Sequence, residues 1–104
     1  MNIREIIAET NPDAILFDDI DKAIIGMGQQ WGGRSIVVYD RDKCIEILAD
    51  KFKKDNDTIE EAYSEAIEYF EFNIECAYIG ENTPFFFTHL EELLWKEVDE
   101  HKNY

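Results

Sequence analysis

The strongest hydrophobic periodicity in the chain lies just after its middle, where apolar side chains recur every three or four residues. At about 100° per residue, this spacing gives a helix with one apolar side and one side lined by glutamates. Asp57 or Thr58 can cap the first turn, with Glu60 or Glu61 completing a capping box. The pattern therefore predicts an amphipathic helix at about residues 58–77. Its predicted inner side comprises Ile59, Tyr63, Ala66, Ile67, Phe70, Asn73, Ile74 and Ala77, and its acidic side comprises Glu60, Glu61, Glu65, Glu68, Glu71 and Glu75.

Three further helices are predicted at about residues 2–10, 42–52 and 89–100, because each combines an apolar stripe with a capping side chain at its start. The capping candidates are Asn2 with Glu5, Asp40 or Asp42, and Thr88 with Glu91. The residues predicted to face the core are Ile3, Ile6 and Ile7 in the first helix and Cys44, Ile45, Leu48 and Phe52 in the second. Leu90, Leu93, Leu94 and Val98 line one face of the third.

Two apolar runs flank the turn Trp31-Gly32-Gly33-Arg34 and predict an antiparallel hairpin at about residues 23–39. A third, short strand is expected at about residues 85–87, which are three consecutive phenylalanines. These elements predict an α+β fold, in which a small, mostly antiparallel sheet packs against helices that lie principally on one face.

Strict alternation along the first strand puts Ile25 and Met27 on one face and Gly26 and Gly28 on the other. Two glycines on one strand face leave room for a close neighbour. We expect an aromatic side chain from a helix to fill this space.

At 104 residues the chain is long enough to form one domain, residues 1–104, with its own core. Residues 88–104 can form a C-terminal helical extension of that domain. The conformation of residues 14–21 stays open, because residues 14–17 suit either a helical turn or an edge strand before a carboxylate-rich turn.

The charge balance makes the surface unusual. The chain has 24 acidic and 10 basic residues and a net charge of −14, yet its 45% apolar content is typical of a folded domain. Between Asp55 and Glu100 there are fourteen acidic residues and one lysine, a net charge of −13. Charge of this sign steers a protein towards basic partners and disfavours direct binding to nucleic acid, whose backbone is bound mainly by Lys and Arg.

The first ten residues contain charges and no long apolar run, so we expect neither a signal peptide nor a membrane span, and a cytoplasmic location. Cys44 and Cys76 are far apart and lack CxxC spacing, which makes a structural zinc site improbable. Both cysteines lie on apolar sides of predicted helices, and we expect them to be buried thiols.

No motif in the sequence identifies a reaction. The run that begins Gly26-Met27-Gly28 has Trp31 where a dinucleotide fingerprint needs its third glycine. The Asp-x-Asp pairs lack the glycine and oxygen ligands of a calcium loop. His89 and His101 are isolated, so no nucleophile–base pair can be assigned. We therefore predict no catalytic residue, no metal site and no cofactor.

The acidic side of the long helix has two interpretations, which the sequence leaves open. It is either a solvated surface or a surface that binds a basic protein. Phe72 projects from the middle of the glutamates and Tyr69 from their border, where solvation needs no aromatic side chain, and aromatic residues are frequent anchors in interfaces. The predicted partner-binding residues are Glu61, Glu65, Glu68, Tyr69, Phe72 and Glu75.

Three blocks, AIIGMGQQ, VVYDRDKCIEIL and EAIEYFEFNIECAYIGENTPFF, occur in this order within residues 14–87. In these blocks the chain resembles a family of small uncharacterised proteins of tailed bacteriophages and prophages. The resemblance supplies no activity, cofactor or catalytic residue. It implies a phage context and therefore the host cytoplasm, where small acidic proteins often block host proteins that handle nucleic acid or act in defence.

The main functional hypothesis is a non-enzymatic accessory protein whose acidic helix binds a basic surface on a host or phage protein, as an inhibitor or DNA mimic. The alternative is a homo-oligomeric structural protein that buries Leu90, Leu94, Trp95 and Val98 between subunits. A small enzyme of unknown reaction is the third hypothesis. None of the three involves a membrane.

Overall fold

The chain folds into a three-stranded sheet with helices packed on one of its faces, and the predicted α+β class is confirmed. The computed structural model describes residues 2–29 and 31–94. The helices are α1 (Ile3–Thr10), α2 (Arg41–Phe52), α3 (Ile59–Phe70), which continues as a π-helical turn (Glu71–Glu75), and α4 (residues 90–94). The strands are β1 (Ile24–Gln29), β2 (Ser35–Asp40) and β3 (Phe85–Phe87).

The helices begin where their capping side chains predict. Asn2, Asp40 and Thr58 each accept a hydrogen bond from the backbone N–H three residues later, at 3.0, 3.2 and 3.2 Å. These bonds satisfy amides that have no partner within the helix. The predicted C-terminal helix is present from residue 90, and its remainder, with Trp95 and Val98, lies outside the described residues.

The strand order is β1-β2-β3, with an antiparallel first pair and a parallel second pair. The antiparallel pair is the predicted hairpin. The third strand runs parallel to β2 because α2 and α3 lie between the two strands in sequence and return the chain to the same end of the sheet. Helices α2 and α3 pack against each other and cover the sheet face that carries Val37 and Tyr39.

A β-bulge changes the faces predicted for the first strand. The strand register shifts between Ile24 and Gly26, so Ile25 is an extra residue in β1. Ile24 and Met27 therefore both pack against the core, whereas Ile25 is exposed. The predicted strict alternation was wrong because a bulge moves every following side chain to the opposite face.

The space beside Gly28 is also filled differently from the prediction. A Cβ atom on Gly28 would lie 3.1 Å from Cγ2 of Val38, a tight contact. The close neighbour is thus a β-branched side chain of the adjacent strand, and the expected aromatic from a helix was wrong.

The core combines the inner face of the sheet with one side of each helix. Tyr39, Phe70, Ile20, Val37 and Cys44 are its largest fully buried side chains. In α1, Ile7 is buried as predicted, but Ile3 and Ile6 are 40% and 50% exposed. This short helix lies at the edge of the core and contacts the core through one row of side chains. The predicted stripe of three isoleucines was therefore too wide.

The segment 14–21, which the sequence left open, forms neither a helical turn nor a paired strand at residues 14–17. The N–H of Ile15 donates to the carbonyl of Asn82, and the N–H of Phe17 donates to the hydroxyl of Tyr39 at 3.0 Å. A turn follows, in which Asp19 has a φ of 70°. These bonds fix the carboxylates of this turn beside the helix layer.

Candidate functional site

Helix α3 contacts the core through one row of side chains four residues apart, Ala62, Ala66, Phe70 and Ile74. Three of these four were predicted, and Ala62 was not. Ile59, Tyr63, Ile67 and Asn73, which were also predicted to face the core, are exposed, and Ala77 is half-buried. The two alanines let α3 approach α2 closely, so the contact is narrow and the flanking side chains lie outside it.

The opposite side of α3 carries most of the residues predicted to bind a partner. Phe72 is 75% exposed and Tyr69 is 43% exposed, as their positions among the glutamates predict. A depression of about 340 Å³ is lined by Glu65, Glu68, Tyr69, Phe72 and Asn73. The structure therefore brings four of the six predicted residues together on one shallow, open surface.

Neighbouring side chains hold this depression in shape. Asn56 Nδ2 donates to Glu65 Oε2 at 2.6 Å, and the ring of Tyr69 packs edge-on against Phe52 with centroids 5.6 Å apart. Within the π-helical turn, Asn73 Nδ2 donates to the carbonyl of Tyr69 at 3.1 Å. Because these contacts restrict the rotamers before binding, less conformational entropy is lost when a partner binds.

A second depression, of about 420 Å³, adjoins the first and shares Tyr69 and Asn73 with it. Asp18 and Asp19 line it, and Lys51 Nζ lies 3.1 Å from Asp19 Oδ2. In the sequence these two aspartates belong to a carboxylate-rich turn, with no local sign of a contact with α3. Because about fifty residues separate them from Tyr69 in the sequence, no local pattern could have predicted that they line a common depression.

Glu75 does not belong to this surface. Arg41 Nε donates to Glu75 Oε2 at 2.7 Å, and Arg41 Nη2 lies 3.5 Å from Glu71 Oε1. The guanidinium also lies over the ring of Phe70, 5.3 Å from its centroid. Both carboxylates are thus turned towards the start of α2. We define the acidic face as Glu61, Glu65, Glu68, Tyr69 and Phe72, bordered by Asp18 and Asp19.

The two thiols differ in their environments. Cys44 is fully buried, as predicted, and burial raises its pKa to about 12. Such a thiol stays protonated and is a poor nucleophile at neutral pH. Cys76 is exposed, so the prediction that both cysteines are buried was wrong for Cys76. It lies after the π-helical turn, where the chain leaves the core.

In the described ranges 2–29 and 31–94, His, Cys, Asp and Glu side chains form no group of three or more that could hold a metal ion. No helix within those ranges is long and apolar enough to cross a membrane. His89 Nε2 lies 3.1 Å from Asp40 Oδ2, near β3 and apart from the acidic face.

No protein-family model, no curated protein and no solved structure matches this chain. The function proposed below therefore rests on the geometry and charge of the acidic face.

Proposed function

We propose that this chain is a small, non-catalytic accessory protein that binds a basic surface on another protein through the acidic face. The observation that carries this proposal is the position of Phe72, which is 75% exposed and lines one depression together with Glu65 and Glu68. An exposed phenylalanine lowers solubility, and its ring makes no hydrogen bonds with water. Beside these two carboxylates it suits a partner that presents Lys or Arg next to an apolar pocket.

The charge of the chain supports the same kind of partner. A net charge of −14 attracts a basic protein at distances up to about the Debye length. Association is therefore fast, and its rate constant falls as the salt concentration rises. Asp18 and Asp19 lie beside α3, but Lys51 pairs with Asp19 at 3.1 Å and Arg4 lies 3.7 Å from Asp18, so the net charge of the acidic face comes mainly from the glutamates of α3. Glutamates on one side of a helix are about 4 Å apart along its axis, whereas duplex DNA has one charge per about 1.7 Å.

The resemblance to small phage and prophage proteins suggests where such a partner is found. In that context the proposed location is the host cytoplasm. The proposed partner is a host or phage protein that normally binds nucleic acid, or one that acts in defence. An acidic face with an aromatic anchor would compete for the basic surface of such a protein and inhibit it.

Affinity capture tests the proposal. The immobilised chain is exposed to bacterial lysate at low and at moderate salt, and the captured proteins are identified by mass spectrometry. Two triple variants with the same net charge are compared, Glu61→Gln/Glu65→Gln/Glu68→Gln on the acidic face and Glu9→Gln/Glu46→Gln/Glu91→Gln elsewhere. A basic partner that is retained by the second variant and lost by the first supports the proposal. Capture that both variants retain equally contradicts it.

A second candidate function is favoured by the exposed leucines of α4. Leu90 and Leu94 are 70% and 53% exposed, and they form the described part of the stripe that was predicted to lie between subunits. In a homo-oligomeric structural protein these side chains would be buried by another copy. The molar mass of the Leu90→Ser/Leu94→Ser variant across a dilution series tests this candidate, because the variant would remain at 12.2 kDa while the unmodified chain does not.

A further inference from the structure

The depression of about 420 Å³ that adjoins the acidic face has an apolar lining and a charged edge. Two buried and two half-buried side chains make the apolar lining, namely Leu48, Ile74, Phe17 and Phe52. At the edge, the side chains of Asp18 and Asp19 are 94% and 68% exposed. The depression therefore offers an apolar surface to an aliphatic chain and carboxylates to a cation at the end of that chain.

A group of this kind is already present, supplied by the chain itself. Lys51, in the last turn of α2, lines the depression, and its Nζ lies 3.1 Å from Oδ2 of Asp19. The aliphatic stem of a lysine packs on apolar surface while its ammonium group stays in water or on a carboxylate. The Lys51 side chain is 58% exposed, and ion pairs this exposed contribute little to stability. Lys51 is thus a weakly held occupant, which another cation can replace.

Other residues fix the turn that carries Asp19. Arg4 donates from Nε and Nη2 to the two carboxylate oxygens of Asp21, at 2.7 and 2.9 Å. Its Nη2 also lies 3.3 Å from the carbonyl oxygen of Phe17, whose N–H donates to the hydroxyl of Tyr39. These bonds hold the turn on both sides of Asp19. The Asp19 carboxylate can therefore exchange one cation for another while the turn keeps its shape.

We propose that this depression takes a lysine or arginine side chain of the partner, which replaces Lys51 at Asp19. The inference rests on the proposed function, because Tyr69 and Asn73 line both this depression and the one on the acidic face, so one partner can contact both. The incoming stem lies on the apolar lining, and its cationic head meets Asp19. Lys51 then moves into water, so it acts as a competitor within the chain and lowers the affinity of the site.

Small probes test the site without a protein partner. Nα-acetyl-arginine amide and Nα-acetyl-lysine amide are titrated into the isotopically labelled full chain, and the backbone amide resonances are followed by NMR. Both charged probes should shift the resonances of residues that line the depression, and the tighter of the two identifies the preferred side chain. The control is Nα-acetyl-citrulline amide, which has the shape of the arginine probe and no charge. It should bind about 2- to 5-fold more weakly, since it cannot form the ion pair.

Two pairs of variants with matched charge test the roles of Lys51 and Asp19. Lys51→Ala should tighten binding of the charged probes about 2- to 5-fold, whereas Lys54→Ala, outside the depression, should leave it unchanged. Asp19→Asn should weaken binding about 2- to 5-fold, and Asp57→Asn should not. Asparagine also tolerates the φ of 70° found at Asp19, so this variant should keep the turn. The amide spectrum of each variant shows whether it is folded.

Three results overturn the proposal. The first is a set of shifts confined to the glutamates of α3, with the residues of the depression unchanged. The second is a citrulline probe that binds as tightly as the arginine probe, because the carboxylates would then recognise no cation. The third is equal affinity of Lys51→Ala and Lys54→Ala, because Lys51 would then not compete. Failure of the proposed function is distinguishable, since it appears in affinity capture and leaves the binding of the probes unaffected.

Discussion

Arg41 and Glu75 are joined by a hydrogen bond of 2.7 Å between Nε and Oε2, which turns Glu75 away from the other glutamates of its helix. The guanidinium of Arg41 also lies 3.5 Å from Glu71, so its one positive charge is shared between two carboxylates, and this pairing directs Glu75 towards α2 and away from the acidic face. We predict that Glu75→Gln leaves the affinity for a captured partner unchanged, whereas Glu68→Gln weakens it. Titration calorimetry with the captured protein measures both. Equal losses of affinity in the two variants would show that the Arg41–Glu75 hydrogen bond breaks on binding.

The two phenylalanines on either side of α3 should respond differently to truncation. Phe70 is fully buried, so Phe70→Ala should lower the free energy of unfolding by about 3–5 kcal/mol through the cavity it leaves. Phe72 is mostly exposed, and Phe72→Ala should change that free energy by less than about 0.5 kcal/mol. Urea denaturation of both variants measures the difference. Similar losses of unfolding free energy in the two variants would contradict the orientation of α3.

Local signals predicted much of this fold. The caps at Asn2, Asp40 and Thr58 depend on side chains within three residues of the amides they bind, so the sequence carries the whole interaction. The hairpin turn and the phenylalanine strand are likewise marked by a few adjacent residues. Elements that depend on short sequence separations were therefore placed within a few residues of their observed positions.

The remaining features depend on contacts between distant residues. The bulge at Ile25 is a property of the pairing between β1 and β2, and the parallel position of β3 depends on how α2 and α3 return the chain. In the candidate site, periodicity identified Glu65, Glu68 and Phe72 as one surface. Periodicity could not show that Arg41 binds Glu75 or that Asp19 lines the same depression as Tyr69. Both relationships arise from tertiary packing.

Tyr39→Phe should destabilise the chain by removing a single oxygen. The hydroxyl of Tyr39 accepts a hydrogen bond from the N–H of Phe17, and without it this partly buried amide loses its partner. We expect a loss of about 1–3 kcal/mol in the free energy of unfolding at neutral pH, measured by urea denaturation. A loss near zero would show that water replaces the hydroxyl.

The same tyrosine should make stability depend on alkaline pH. Burial raises the pKa of Tyr39 above the ordinary value of about 10. The folded state then holds the phenolic proton more tightly than the unfolded state. This contribution is complete below about pH 10 and is lost as the pH rises through the raised folded pKa. The stability difference between the unmodified chain and Tyr39→Phe should therefore shrink at alkaline pH, and a constant difference would contradict this account.

The cysteines should be distinguishable by their reaction with a thiol reagent. Cys76 is exposed and should react at once, whereas Cys44 is buried with a pKa raised to about 12 and should react only after unfolding. An Ellman titration should therefore count one fast thiol in the native chain and two in denaturant. Two fast thiols in the native chain would mean that the core around α2 opens readily.

The salt dependence of binding between the chain and its captured partner shows whether the acidic face is the binding surface. The dissociation constant is measured at increasing salt for the unmodified chain and for the two triple variants. Binding through the acidic face predicts that affinity falls steeply with salt. It also predicts that Glu61→Gln/Glu65→Gln/Glu68→Gln flattens this dependence, while Glu9→Gln/Glu46→Gln/Glu91→Gln retains it. An affinity that does not change with salt, or one that both variants alter equally, would contradict binding through the acidic face.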